Sequence, residues 1–234
     1  MRLDLAITVG AAQPRLHIML DQSVLKKFSS VFSAAVMCAS LAASETSVVD
    51  GDTIDVDGIR MRINAIDAPE YGQKCGKWAC GKAATEELAR LIGSTNVTCN
   101  VLGDDGMGRE IATCFVGEVD LGREMVRNGL AWAFVKYSEE YTPDEAEARR
   151  QKLGIWATTA IPPWEYRAAR WAVAEQEAPD GCPIKGNISK NGMIYHAPWS
   201  PWYKKTSINE AKGERWFCSE AEAVANGWRA PRWR

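Results

Sequence analysis

Carboxylates and arginines that could act together on a phosphate group are concentrated in residues 49–109. They occur in short motifs, which in chain order are 49–53 (Val-Asp-Gly-Asp-Thr), Arg62, 67–70 (Asp-Ala-Pro-Glu) and 108–109 (Gly-Arg). A hard divalent cation binds oxygen ligands, a phosphodiester under attack needs positive charge on its oxygens, and the attacking water needs a base. The carboxylates and the two arginines could supply each of these parts.

The residue types narrow this chemistry further. The chain contains two histidines, His17 near its start and His196 towards its end. The residues between them therefore offer no histidine as a base or a zinc ligand, which leaves a carboxylate as the candidate base. Arginine suits the cationic positions because its planar guanidinium contacts two phosphate oxygens at once and stays charged.

Each of these residues could instead have a structural role that involves neither catalysis nor metal binding. Asp50 and Asp52 could be turn residues around Gly51. The charged side chains that follow could form surface ion pairs, which contribute little stability. Taken together, the order of the motifs favours a functional site.

The segments around the motifs predict an α+β fold. Strands are predicted at 47–49, 53–56, 59–66, 96–101 and 111–116, with a hairpin signal at Asp57-Gly58 and a stop at Pro69. Helices are predicted at 82–92, 121–128, 142–153 and 164–176. Five short strands with about three of these helices indicate a five-stranded OB-like Greek-key β-barrel, followed by a small C-terminal module.

The motifs, in this order, resemble the thermonuclease (staphylococcal nuclease) family. The similarity continues through 127–131 (Arg-Asn-Gly-Leu-Ala) and 152–156 (Lys-Leu-Gly-Ile-Trp), and so covers residues 46 to about 157. The resemblance implies a calcium-dependent phosphodiesterase on an OB-fold barrel, which cleaves DNA or RNA and leaves 3′-phosphate products.

The resemblance also implies a metal site. By matching position, Asp52, Asp67 and the backbone carbonyl of Ala68 would bind Ca²⁺, and Asp50 would lie behind them without touching the metal. The family's type member has threonine where Ala68 stands, which is harmless if the carbonyl alone binds.

The remaining implied roles concern the reaction itself. Glu70 would activate the attacking water, and Arg62 and Arg109 would grip the scissile phosphate and stabilise its extra charge. The family's substrate-contacting tyrosine aligns poorly with this chain, and Tyr137 is the nearest candidate.

The start of the chain predicts export. Lys26-Lys27, the apolar run 28–43 and small residues before Glu45 are typical of a secretory signal peptide with cleavage near Ala43-Ser44, and a buried first helix is the alternative. Met19 could then be the true start. We expect a secreted or periplasmic protein, without the run of about 20 apolar residues that a membrane span in the mature form would need.

Cysteine usage agrees with export. Of the seven cysteines, Cys38 falls in the predicted signal, and an even remainder favours disulfides. Six cysteines permit about fifteen connectivities. Sequence context favours Cys75 with Cys80 around a short loop, Cys99 with Cys114 across adjacent strands, and Cys182 with Cys218 inside the tail.

Charge divides the chain after the signal into two parts. Residues 45–181 carry 15 basic and 24 acidic side chains, whereas residues 182–234 carry 9 basic and 4 acidic ones. An acidic domain cannot attract a polyanion by its overall field, so nucleic-acid binding there would be local and metal-assisted.

The predicted segments are 1–44 (extension and signal peptide), 45–160 (nuclease-like barrel), 161–181 (helical linker) and 182–234 (basic, aromatic-rich module).

The tail, in residues 182–189, 194–196, 215–223 and 227–229, resembles a small module that accompanies some exported nucleases. Its ending is also similar to a zinc repeat of DNA-alkylation-repair regulators, but Cys182, His196 and Cys218 alone do not supply a four-ligand zinc site. We therefore expect a disulfide-stapled aromatic core. Its basic residues could bind single strands among the aromatics, or could form a solvated face.

The sequence thus predicts a secreted, calcium-dependent endonuclease acting on DNA, RNA or both. The alternative is a non-catalytic protein of the same barrel type that binds nucleic acid or the cell envelope. No protein partner is evident from the sequence.

Overall fold

The structure is a computed structural model that describes residues 45–231, so the predicted signal peptide and residues 232–234 lie outside the described part. In chain order, its first elements are β1 (Thr46–Val48), β2 (Thr53–Val56), β3 (Ile59–Ile63), β4 (Ile66–Asp67), α1 (Cys80–Ile92), β5 (Val97–Asp104), β6 (Glu110–Val116), β7 (Val119–Asp120), α2 (Leu121–Arg127), β8 (Trp132–Ala133) and α3 (Thr142–Gln151). They are followed by α4 (Pro163–Glu177), β9 (Ile184–Ser189), β10 (Gly192–His196), β11 (Arg215–Phe217) and α5 (Glu220–Ala225).

The larger sheet has the strand order β1-β2-β3-β6-β5, and β7 pairs with β6. Neighbouring strands are antiparallel except β3 and β6, which are parallel. The predicted α+β, OB-like architecture is confirmed, although the ladders within residues 45–231 do not close the sheet into a complete ring. Strands β4 and β8 form a separate antiparallel pair beside it.

The β2–β3 hairpin fixes the position of one predicted site residue. Asp57 and Gly58 both have positive φ, 51° and 84°, as a two-residue Asp-Gly hairpin turn requires. This turn sets the register in which Thr53 pairs with Arg62. Arg62 therefore lies beside the start of β2, next to Asp52.

The strand predicted at 59–66 is wrong in its last residues. Ala65 has φ 60°, which interrupts an extended strand, and its carbonyl accepts a hydrogen bond from the N–H of Phe134 at 2.8 Å. The chain bends there, and β4 pairs with β8 so that Asp67 lies opposite Trp132.

The core of the first half lies between the larger sheet and helices α1 and α2. Ile54, Leu88 and Leu121 are fully buried in it. Helix α1 contributes residues one turn apart on one face, which are Ala84, Leu88 and Ile92. A buried leucine or isoleucine side chain contributes about 1.5–3 kcal/mol, so Leu88 and Ile92 hold α1 against the sheet.

Two glycines bring the end of α2 against the turn after α3. Gly129 and Gly154 have φ values of 65° and 51°, and a methyl group on Gly154 would lie 2.1 Å from the Gly129 carbonyl oxygen. That carbonyl accepts a hydrogen bond from the N–H of Ile155 at 2.8 Å. The close contact sets the path of the chain into β8, which holds β4.

The C-terminal part forms a second, smaller sheet of order β10-β9-β11, which the sequence did not predict. Phe217 and Trp228 pack edge to face in its core at 5.0 Å between ring centroids.

The disulfides are Cys75–Cys80, Cys99–Cys114 and Cys182–Cys218, the pairs that sequence context favours. The described residues belong to one compact unit, and no helix within 45–231 is long and apolar enough to cross a membrane.

Candidate active site

The Asp50-Gly51-Asp52 turn packs directly on the 67–70 motif. The carboxylate of Asp50 accepts a hydrogen bond from the N–H of Asp52 at 3.1 Å, which closes the turn. A methyl group on Gly51 would lie 2.7 Å from the Cβ atoms of Ala68 and Ala84, so glycine is needed for this approach. As a result, Asp52 accepts a hydrogen bond from the N–H of Ala68 at 2.9 Å.

Arg62 joins the two aspartates that were predicted to bind metal. Its Nη1 atom is 2.8 Å from the carboxylate of Asp52, and its Nη2 atom is 3.0 Å from that of Asp67. Asp52 is 4% exposed and Asp67 is fully buried. A buried carboxylate is stable only when it is paired and hydrogen-bonded, so Arg62 stabilises both of them.

Glu70 is held by a tight loop. Its N–H donates to the side-chain oxygen of Gln73 at 3.2 Å, and the Cys75–Cys80 disulfide closes the segment that follows. Helix α1 begins against this loop, since a methyl group on Gly81 would lie 1.7 Å from the carbonyl oxygen of Glu70. The fully buried Gln73 also donates to the carbonyl of Ile161 at 2.9 Å, which ties the loop to the segment that enters α4.

Helix α4 supplies a cation that the sequence did not predict at this site. The guanidinium of Arg167 contacts both carboxylate oxygens of Asp67, at 3.0 and 2.7 Å, and the carboxylate of Glu70 at 2.8 Å. The Arg167 side chain is 23% exposed. The segment predicted as a linker thus places a positive charge on a predicted metal ligand and on the predicted base.

Arg109 lies farther along the same cleft. Its Nε atom is 2.5 Å from the carboxylate of Asp105, and its backbone N–H donates to the same side chain at 3.2 Å. This pairing fixes the side chain of Arg109 and leaves it among the residues that line the cleft. Tyr137 also lines the cleft, is 55% exposed, and packs edge to face on Phe134 at 5.1 Å.

The cleft brings most of the predicted residues together. Its volume is about 440 Å³, and the sequence-predicted residues that line it are Asp50, Asp52, Arg62, Ala68, Glu70, Arg109 and Tyr137. Asp67 lies just behind this lining, where it contacts Arg62 and Arg167. The cleft thus presents arginines and carboxylates on one surface, and its size and charge suit a phosphodiester.

Burial changes the acidity of the cleft carboxylates. Burial raises the pKa of Glu70 to about 8, against the charge of Arg167, and the charge of Asp50 adds to the rise. Burial and the charge of Asp52 raise the pKa of Asp50 to about 7. Burial also acts to raise the pKa of Asp52, but Arg62 and a backbone amide outweigh it, so this pKa lies below its usual value. Burial therefore outweighs the neighbouring cations at Asp50 and Glu70, whereas Arg62 and the backbone amide prevail at Asp52.

The oxygen donors suit a hard divalent cation. The carboxylates of Asp52 and Asp67 and the carbonyl of Ala68 are of the kind that Ca²⁺ prefers. Within residues 45–231 no cluster of three or more His, Cys, Asp or Glu side chains could hold a metal ion, so the carbonyl, water or a phosphate oxygen would have to complete the coordination. Because Arg167 contacts both oxygens of Asp67, a cation at Asp67 requires that contact to open.

Sequence reasoning missed four residues that position this site, which are Gln73, Gly81, Asp105 and Arg167. Gln73 and Gly81 lie near the predicted base, but nothing in their types marks them. Asp105 precedes Arg109 by four residues in a glycine-rich loop, which is a usable signal for an ion pair. Arg167 gives no such signal, because it lies 97 residues from Glu70 in the chain.

Comparison with known proteins agrees with an OB-type barrel in the first part of the chain. The family described as Staphylococcal nuclease homologue matches residues 60–158, and a second family, described as ArfC, matches residues 163–230. An uncharacterized endonuclease of Escherichia coli O157:H7 is 32% identical over 145 residues, which cover 58% of this chain and 92% of that protein. A micrococcal nuclease of Shigella flexneri is 34% identical over 175 residues, covering 63% of this chain and 96% of the relative.

The chain belongs to the staphylococcal nuclease homologue family. The match to that family ends just before α4, and the ArfC match begins with it. A further relative, the succinoglycan biosynthesis protein ExoI of Rhizobium meliloti (strain 1021), is 30% identical over 168 residues, or 66% of this chain and 88% of its own length.

Proposed function

We propose that this protein is a nuclease that hydrolyses phosphodiester bonds of DNA, RNA or both. The observation that carries the proposal is one cleft in which Arg62, Arg109 and Glu70 face the same space in front of two buried aspartates. Relatives named endonuclease and micrococcal nuclease support it.

The arginines bind and orient the phosphate in this proposal. Arg62 and Arg109 are held in place by carboxylates at 2.8 and 2.5 Å, so they face the phosphate without further ordering. Preorganised donors of this kind stabilise the charge that develops on phosphate oxygens during attack. Glu70 accepts the proton of the attacking water, for which its carboxylate must be ionised.

Calcium is the proposed cofactor, held by Asp52, Asp67 and the carbonyl of Ala68, with Asp50 behind them. When bound, Ca²⁺ polarises the phosphate and the water and offsets the acidic charge of the cleft. The product with a 3′-phosphate follows from the family resemblance and is part of the proposal. So is contact between Tyr137 and the substrate.

We also propose that the protein works outside the cytoplasm, in the periplasm or the medium. Three disulfides support this location, and the proposed signal peptide with cleavage near Ala43-Ser44 lies outside the described residues. In this proposal residues 45–160 are the catalytic part, 161–181 connect it to the tail, and 182–234 form the accessory module.

The test is digestion of heat-denatured DNA by the mature protein with calcium or with a chelator. We expect cleavage that needs calcium and that falls at least about 100-fold in Glu70→Gln, because general-base catalysis contributes about 10²–10⁴-fold. The exposed Glu118→Gln is the matched control and should keep full activity. Binding of denatured DNA without cleavage, unchanged by Glu70→Gln, would instead support the non-catalytic alternative.

A further inference from the structure

The roof of the cleft comes from the part of the chain that follows the nuclease-family match. Helix α4 contributes Arg167 and Trp171, and the loop after β10 contributes Trp199 and Pro201. All of them lie outside residues 60–158 and inside the ArfC match. Arg62, Arg109 and this roof therefore line one space of about 440 Å³, and Arg167 and Arg62 both contact Asp67.

Two tryptophans provide the aromatic part of that roof. The ring centroids of Trp171 and Trp199 are 6.3 Å apart, with 34° between the planes. Both side chains are half-buried, so ring surface stays accessible from the cleft. Trp171 lies one helical turn after Arg167, on the same face of α4. Aromatic surface is thus presented one turn away from the cation that contacts Glu70.

We propose that Trp199, backed by Trp171, stacks on a nucleobase of the strand being cut, and that the protein thereby selects single-stranded nucleic acid. The inference rests on the proposed nuclease function and names its substrate class. A phosphate bound to Arg62 and Arg109 carries its sugar and base with it, and the tryptophan rings that line the same cleft offer a flat apolar surface. Aromatic side chains stack on any base because every base has a π-face.

The volume of the cleft is the reason why a single strand is selected over a duplex. A space of this volume lies at the lower end of small-molecule sites, about 300–1,000 Å³, and so accommodates about one nucleotide. A base in a duplex must leave its stack and its partner to enter such a space, and a base in a single strand gives up much less. The duplex therefore pays a penalty that the single strand avoids.

The experiment measures binding of a fluorescent single-stranded oligonucleotide and of its duplex, by anisotropy in chelator, to the full-length protein. We expect Trp199→Leu to weaken single-strand binding about tenfold or more, while Trp199→Phe keeps most of it. Duplex binding should be the same in all variants. Trp216→Leu is the control, since Trp216 is a half-buried tryptophan on β11 of the same C-terminal part and lies outside the cleft lining.

A second oligonucleotide that lacks one base keeps the proposal testable if the leucine variant is unstable. Moving the abasic position along the strand should reveal one site where its loss weakens binding by wild type about as much as Trp199→Leu does. Equal binding by wild type and Trp199→Leu, or equal loss for single strand and duplex, would overturn the inference. Failure of wild type to hydrolyse either strand in calcium refutes the nuclease function separately, because the binding comparison does not depend on cleavage.

Discussion

Replacing Arg167 by glutamine is expected to tighten calcium binding at the proposed metal site. Both carboxylate oxygens of Asp67 and one of Glu70 are bonded to the Arg167 guanidinium. The Arg167 guanidinium occupies acceptor positions on these oxygens and its charge repels a divalent cation, so the measured affinity of the wild-type protein includes the free energy of opening these contacts. Glutamine is polar, but it is shorter than arginine and removes the charge.

The magnitude follows from the contacts. Hydrogen bonds to charged groups contribute about 1.5–3 kcal/mol each, and Arg167 makes three, at 2.7–3.0 Å. The opening also returns water to a side chain that is 23% exposed, and Asp67 keeps its contact with Arg62. We therefore expect a net competition of about 2 kcal/mol, the size of one such bond, which corresponds to calcium binding about 30-fold tighter in Arg167→Gln.

Isothermal titration of the full-length protein with calcium chloride measures this directly. Arg170→Gln is the control, because it removes the same charge from the same helix, and Arg170 lies over the ring of Tyr166 at 5.1 Å. The difference between the two variants removes the general effect of charge. If Arg167→Gln binds calcium no tighter than Arg170→Gln, the competition does not exist; weaker binding would mean that Arg167 supports the metal site.

Two further predictions concern stability. Burial, and secondarily Lys185, lower the pKa of His196 to about 4 from 6.5, so as the pH falls the unfolded chain binds a proton before the folded chain does. The free energy of unfolding should therefore fall by about 3 kcal/mol between pH 6.5 and 4. Urea titrations of His196→Gln should show a weaker fall over the same range. In the chain-entropy account, replacing both cysteines of Cys182–Cys218, 36 residues apart, should lower stability by about 4 kcal/mol, against about 2 kcal/mol for Cys75–Cys80, 5 residues apart. Equal losses in denaturant titrations would contradict the dependence on loop length.

Local rules were sufficient for the part of the site built on the first hairpin. The Asp-Gly turn at 57–58 fixes the register, and the register places Arg62 beside Asp52. Gly51 and Pro69 mark the points where the chain must turn or stop. A sequence in which short-range turn chemistry sets the register can be interpreted without knowledge of distant contacts.

The remainder of the site depends on tertiary contacts that no local pattern encodes. Arg167 and Arg170 are both arginines on an amphipathic helix, and the packing of α4 alone decides that one contacts Asp67 while the other lies over Tyr166. The positive φ of Ala65 is equally unpredictable, because alanine rarely adopts it. It splits the predicted strand and creates the β4–β8 pair that carries Asp67.

The buried amide of Gln73 has a consequence for how such chains can evolve. Gln73 bonds the Glu70 loop on one side and the carbonyl of Ile161 on the other, and Ile161 lies between the two family matches. The acceptor is a main-chain carbonyl that any residue can supply, but a C-terminal part from a relative that packs α4 differently would move this carbonyl out of reach. The buried amide would then lack its acceptor, at about 1–3 kcal/mol for an unsatisfied buried group. The border between the two families in the sequence is therefore a poor crossover point, and the two parts should change together.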